Sequence, residues 1–149
     1  MFELAQINIA KLIAPLDDPQ IAEFVAGLAP INELADRSEG FIWRLKSEAG
    51  NTTTHSDDPL VIVNMSVWTS PEALRNFVYR SRHVEFYRKR SEWFEPPKAA
   101  PYCLWWVPAG HRPTVAEGLQ RLENYQTYGP SQHAFWFQHL FPAPDLVLV

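Results

Sequence analysis

The order of apolar patterns predicts an α+β domain: a ferredoxin-like, four-stranded antiparallel sheet with its helices on one face. Three observations predict it. Strand and helix patterns alternate as β-α-β, loop, β-α-β, and two such units usually close a sheet of this kind. The chain has 149 residues, the size of one domain. Its residues are 46% hydrophobic and 20% charged, so it can bury a core. The expected core runs over residues 3–108, with an extra helix and a tail over 114–149.

The first strand is read over Leu4 to Leu12, where Gln6 and Asn8 alternate with Ile7 and Ile9 at the period of a pleat. Asp18 and Pro19 then start a helix, the first as a cap and the second at a tolerated opening position. Ile21, Phe24, Val25, Leu28 and Ile31 form its apolar stripe. Pro30 lacks an N–H and clashes with the preceding turn, so a kink or break is expected near Ala29. Gly40 ends the segment, and Phe41 to Leu45 reads as the second strand. Lys46 to Pro59 is polar and Gly/Asn/Thr-rich, which predicts a loop.

Leu60 to Trp68 is the third strand. One parity holds Val61, Val63, Met65 and Val67; the other holds Ile62, Asn64, Ser66 and Trp68. Ser70-Pro71-Glu72 starts the next helix, with Leu74, Phe77 and Val78 inward. A further helical piece is expected from His83 to about Trp93, stopped by Pro96-Pro97. Tyr102 to Val107 is the fourth strand, with Trp105 and Trp106 on opposite faces. Thr114 and Glu117 have capping-box spacing. Val115, Leu119, Leu122 and Tyr125 make a helical stripe that Gly129-Pro130 ends.

The composition excludes several classes of function. Net charge is −4, from 13 Lys+Arg against 17 Asp+Glu, which disfavours sequence-independent nucleic-acid binding. One cysteine, Cys103, rules out an internal disulfide and fits a reducing cytoplasm. Glu3, Lys11, Asp17 and Asp18 leave no uncharged N-terminal stretch for a signal peptide or a membrane span. The apolar tail 146–149 is too short for a span and reads as a strand end or a patch against the body or a partner. No His or carboxylate partners His111 at zinc-ligand spacing, and no Gly-rich phosphate loop occurs.

Two β-α-β units leave one sheet face open, and a second copy of the sheet is its simplest cover. Gln6, Asn8, Asn64, Ser66 and Trp68 share the semi-polar parity, which is assigned to that open face. The valine-rich parity is assigned to the helices. A greasy interface has no need of Asn and Ser, whereas a lined cavity uses them.

The run Val67-Trp68-Thr69-Ser70-Pro71-Glu72-Ala73-Leu74, with Phe77 and Ser81, resembles the strand-to-helix segment of the dimeric α/β-barrel superfamily. That superfamily includes antibiotic-biosynthesis monooxygenases and haem-degrading enzymes. Residues 4–8, 40–45, 83–94 and 105–114 further resemble an uncharacterised bacterial family within it. The resemblance implies a homodimer whose two sheets close a barrel around a pocket.

Three functional readings follow. In the cofactor-free one, Asn8, Asn64, Ser66 and Trp68 line a site for an aromatic or anionic small molecule, joined by Phe77, Trp106 and His111. His83 or Tyr87 then acts as acid or base from the helix side. The chemistry needs donors for substrate oxygens in a dry cavity. The competing reading is a non-catalytic dimeric binding or sensing module, whose amides satisfy each other across the barrel seam. The third is haem. In the haem-degrading branch an Asn, a Trp and a His carry the reaction; Asn8 matches the first, while Phe77 and Tyr87 occupy the other two positions. A Tyr can ligate ferric haem. The basic run Arg80, Arg82, Arg88, Lys89 and Arg90 either steers an anion or is a solvated helix face. Of the rings, Phe24 and Phe77 are expected in the helix–sheet core. Trp68 and one of Trp105 or Trp106 are expected in the barrel interior, and Phe135-Trp136-Phe137 over an edge or a partner.

Overall fold

The computed structural model describes residues 1–46, 53–55, 58–80 and 88–144. β1 (Phe2–Lys11) lies between β4 (Asp58–Trp68) and β5 (Tyr102–Pro108), and β2 (Phe41–Arg44) pairs the outer side of β4. All pairings are antiparallel, and the order β2-β4-β1-β5 is the ferredoxin-like one. Each crossover helix, α1 (Ala22–Asp36) and α2 (Pro71–Arg80), joins two strands that have a third between them.

The stretch read as a loop holds a strand. β3 (Thr53–His55) pairs the first half of β4, with Thr53 opposite Val63 and Thr54 opposite Ile62. β-branched threonine suits a pleated edge, a preference that polarity alone hides. The first helix also departs from expectation. Asp18 caps a short 3-10 turn by accepting the Gln20 N–H at 2.8 Å, as predicted, but α1 then runs unbroken through Pro30. Pro30 and Ala26, whose carbonyl loses its helical partner, both lie on the exposed side, where that carbonyl is open to solvent. Ile21 and Phe24 are buried and hold the helix down, while Val25 faces solvent. After α1, Gly40 adopts φ +83°, and a β-carbon there would stand 2.6 Å from Thr69 Oγ1.

Of the next helical piece, α3 (Arg90–Trp93) is described. α4 (Val115–Tyr128) starts where Thr114 Oγ1 accepts the Glu117 N–H at 3.1 Å and ends at Gly129. The expected reciprocal half of the capping box is not made by Glu117. Its carboxylate instead accepts the Trp105 indole N–H at 3.0 Å and pairs with His111 Nε2 at 2.7 Å.

The two sheet faces are covered the opposite way from the sequence-based assignment. Ala5, Ile7, Val63, Met65, Val67, Cys103, Trp105 and Val107, the valine-rich parity, are buried with Leu122 of α4; Val115, Leu119 and Tyr125 pack against them. Gly118 lets α4 close in: a β-carbon there would lie 2.6 Å from Met65 Sδ and 2.8 Å from Ile7 Cδ1. α1 and α2 take the other face, and they grip its two ends. Near α1, Leu12, Leu60 and Ile62 meet Ile21, Phe24, Leu28 and Trp93. Near α2, Leu4, Trp68 and Leu104 meet Leu74, Phe77 and Phe135. The semi-polar parity is polar only in its middle. A parity averaged along the strand therefore pointed the wrong way, because its ends carry large apolar side chains that need helices.

Candidate functional site

Between those two apolar grips the sheet presents a polar floor. Register fixes its membership. Asn8 stands opposite Asn64 on one side and Tyr102 on the other; Gln6 stands opposite Ser66 and Leu104. Arg44 of β2 extends the second row, opposite Ser66. Directly opposed side chains on one face are about 5 Å apart, close enough to bond.

They do bond. Gln6 Nε2 donates to Asn64 Oδ1 at 2.7 Å and to Ser66 Oγ at 2.8 Å. Asn8 Nδ2 donates to Gln6 Oε1 and to Asn64 Oδ1, both at 3.1 Å. Trp68 Nε1 donates to Ser66 Oγ at 2.8 Å. Gln6 and Ser66 are buried, whereas Asn64 is exposed and Asn8 half-buried, so the floor opens to solvent at the asparagine end.

The network leaves both donors and acceptors unspent. Ser66 Oγ carries its Cβ and two incoming N–H groups, so its own proton takes the fourth direction, and no acceptor for it stands among the described residues. Asn64 Nδ2 likewise donates to none of them; on the acceptor side Asn8 Oδ1 is unspent. One hydrogen on Ser66 Oγ and two on Asn64 Nδ2 thus stand beside the two lone pairs of Asn8 Oδ1 and the second lone pair of Gln6 Oε1. The donors can meet oxygen lone pairs of a ligand.

The surrounding rings divide into working and packed ones. Trp68 is 1% exposed. Its ring meets Phe41 edge-on and stacks on Phe77, with both centroid distances at 5.4 Å. It supports the floor from one end and shows no free face. Phe77, which the haem reading puts at the Trp position, is engaged in that stack. Trp106 lies on the α2 side, but its indole N–H is spent on the Phe141 carbonyl at 2.8 Å. His111 is not brought to the floor; its bond to Glu117 holds it at the start of α4, which covers the opposite sheet face. His83 and Tyr87 lie outside the described residues, as do Ser81 and, from the basic stretch, Arg82. Lys89, from that stretch, is ion-paired with Glu23.

Two floor neighbours escaped the sequence reading. Tyr102 borders Asn8 and stacks on Trp136 at 3.9 Å, which makes an aromatic wall beside the asparagine row. Arg44 borders Ser66, and its guanidinium grips Asp36. Only strand register reveals these adjacencies. The tail was read correctly at one point: Phe135 pairs with Leu104 backbone-to-backbone and covers the β5 edge.

Elsewhere the chemistry is quiet. Burial pushes the Cys103 thiol up to about 12, with the nearby Arg121 charge opposing weakly, so this cysteine is a packing residue under α4. Among the described residues no group of three or more His, Cys, Asp or Glu is placed to hold a metal ion. No described helix is long and apolar enough to cross a membrane. A shallow hollow of about 310 Å³ runs along β2 and the two residues after it, Leu45 and Lys46, and meets the floor at Arg44.

Among solved structures, the fold is similar to SnoaB from Streptomyces nogalater, described as a cofactor-independent oxygenase. Identity is 17%, with 77% of this chain and 98% of that one covered and a TM-score of 0.51. It is similar to a proposed antibiotic biosynthesis monooxygenase from Nitrosomonas europaea, at 11% identity, 76% and 94% coverage and a TM-score of 0.52. A conserved protein from Methanosarcina mazei matches at 15% identity, 72% and 92% coverage and a TM-score of 0.51. These likenesses are likenesses of fold. Among curated proteins nothing matches. The family model described as a domain of unknown function, DUF3291, matches residues 3–148, and the chain belongs to that family.

Proposed function

We propose that this protein binds a small aromatic molecule bearing an ionised or polarised oxygen over the Gln6–Asn8–Asn64–Ser66 floor, and that it supports monooxygenase-like chemistry there. The observation that carries the reading is the unspent donor set, Ser66 O–H and Asn64 Nδ2, at the open middle of an otherwise apolar face. Donors fixed in advance stabilise a developing phenolate or enolate more than water does, since they need no reorganisation. The fold shared with an oxygenase described as cofactor-independent supports a reaction without a prosthetic group. In such a reaction the substrate anion is the reductant and dioxygen the oxidant. One oxygen atom enters the ring system and the other leaves as water, a ring methylene becoming a carbonyl. In this reading His83 or Tyr87 removes the substrate proton, and the protein works as a homodimer in the cytoplasm.

The same five hydrogen bonds favour a second reading, a binding or sensing module without turnover, because they bind the floor's amides mainly to each other. A thermal-shift screen of phenolic and quinonoid compounds, repeated on Asn64→Leu, tests both. Ligands that stabilise the wild type and not the variant support the site. Oxygen uptake with those ligands then separates enzyme from sensor. If no compound stabilises the protein, or Asn64→Leu responds equally, the site assignment fails. Sedimentation showing only monomer removes the dimer.

A further inference from the structure

The guanidinium of Arg44 is held by one edge only. Nε reaches Asp36 Oδ1 at 2.8 Å and Nη2 reaches Asp36 Oδ2 at 3.3 Å, a side-on fork between β2 and the last residue of α1. A guanidinium has five N–H donors, and this fork uses two. The Nη1 pair and the second Nη2 hydrogen, which together form the end-on fork, have no acceptor among the described residues. The side chain is half-buried, and its fork with Asp36 lies at the surface, so the remaining donors can be reached from solvent. A guanidinium fixed along one edge and idle along the other is ready to take an oxyanion from a ligand.

Its location gives the acceptor's chemistry. Arg44 stands opposite Ser66 in the register, in the same cross-strand row as Gln6, and it reaches toward α1, on the floor side of the sheet. It also lines the hollow along Phe41–Lys46, where Lys46 adds a second cation. An end-on guanidinium fork fits a planar carboxylate with two parallel bonds. Asp36 fixes the fork in advance, so little side-chain entropy is lost on binding.

We infer that Arg44, positioned by Asp36, is the specificity residue for a carboxylate on the aromatic ligand, one strand away from the donors that hold the ligand's ring oxygen. The inference rests on the ligand-binding reading of the floor and narrows it to aromatic hydroxy acids or keto acids.

The test compares two fluorescent probes that differ by the carboxylate, 1-hydroxy-2-naphthoate and 1-naphthol, titrated against the wild type, Arg44→Gln and Asn64→Leu. The wild type is expected to bind the acid at least about tenfold more tightly than the naphthol. Arg44→Gln is expected to erase that difference and leave the naphthol affinity unchanged, while Asn64→Leu weakens both. Because Arg44→Gln strands the Asp36 carboxylate, the double variant Asp36→Asn/Arg44→Gln provides a second background lacking that unpaired charge. Arg44→Lys keeps the charge, loses the fork and should fall between. If Arg44→Gln or the double variant retains the acid preference, or the wild type shows none while Asn64→Leu still weakens both probes, the Arg44 assignment is overturned and the floor stands. If neither probe binds the wild type, or Asn64→Leu binds both unchanged, the floor reading fails and takes this inference with it.

Discussion

Trp68 and Ser66 are joined by an indole N–H to hydroxyl bond of 2.8 Å, and the same hydroxyl oxygen receives Gln6. Ser66 is thereby fixed as an acceptor twice over, and its proton is committed outward. The relationship links a packed aromatic end of the sheet to an open polar middle. A tryptophan with no exposed face thus still acts on the candidate site: it orients the serine.

Ser66→Ala should therefore be costly for so small a change. The Trp68 indole loses its acceptor and Gln6 Nε2 loses one of two, at a buried position. A loss of about 2 kcal/mol is expected, since a stranded buried donor costs roughly 1–3 kcal/mol. Urea denaturation with an unchanged m-value would show it. A loss below about 0.5 kcal/mol, the range of ordinary surface changes, would mean that the network is not holding the floor.

Asn64→Asp separates the floor's binding role from its structural one. The variant keeps the oxygen that receives Gln6 and Asn8, and replaces the unspent donors with a negatively charged acceptor. Asn64 is exposed, so stability should change by about 0.5 kcal/mol or less. Affinity for an anionic aromatic ligand should fall at least about tenfold, from a lost donor and a new repulsion. Equal binding by variant and wild type in a fluorescence titration would remove Asn64 from the site.

Much of the fold was legible in the sequence because it is periodic. The alternation at Gln6-Ile7-Asn8-Ile9 and the stripe of Val115, Leu119 and Leu122 both mark real elements. The facing of the sheet was not legible, since it depends on where along a strand the polar residues fall. Asn64 and Ser66 read as an open face, yet Leu60 and Trp68, on the same parity, bring in α1 and α2. Most of the candidate site was legible for the same reason. Asn8, Asn64, Ser66 and Trp68 share a parity that the sequence displays. Tyr102 and Arg44 joined only through register, which no local pattern encodes.

Gly118→Ala tests how α4 covers the valine-rich face. Alanine favours a helix over glycine by up to about 1 kcal/mol. Here the new methyl group would meet Met65 Sδ and Ile7 Cδ1 inside 3 Å, and both side chains are fully buried. Overpacking of this kind costs about 1–3 kcal/mol, so the net effect should be destabilising. A thermal melt showing a stabilised variant would mean that α4 sits farther from the sheet than this packing requires.

The alkaline limb of stability should trace to the same layer. Burial raises the Cys103 thiol from 9.0 to about 12, and burial together with the Cys103 charge raises the Tyr125 hydroxyl above 10.0. Each group holds its proton in the folded state where the unfolded chain has released it. The unfolded state thus binds fewer protons, and stability falls as pH rises. For Cys103 the full contribution is present below pH 9 and is lost between 9 and about 12, with a slope approaching about 1.4 kcal/mol per pH unit. Cys103→Ala should flatten urea-derived stability between pH 9 and 10, before Tyr125 contributes. The native thiol should also resist a disulfide reagent at pH 8 and react on unfolding. A fast-reacting native thiol, or an alkaline limb unchanged in Cys103→Ala, would contradict the sealed packing of α4 over Cys103.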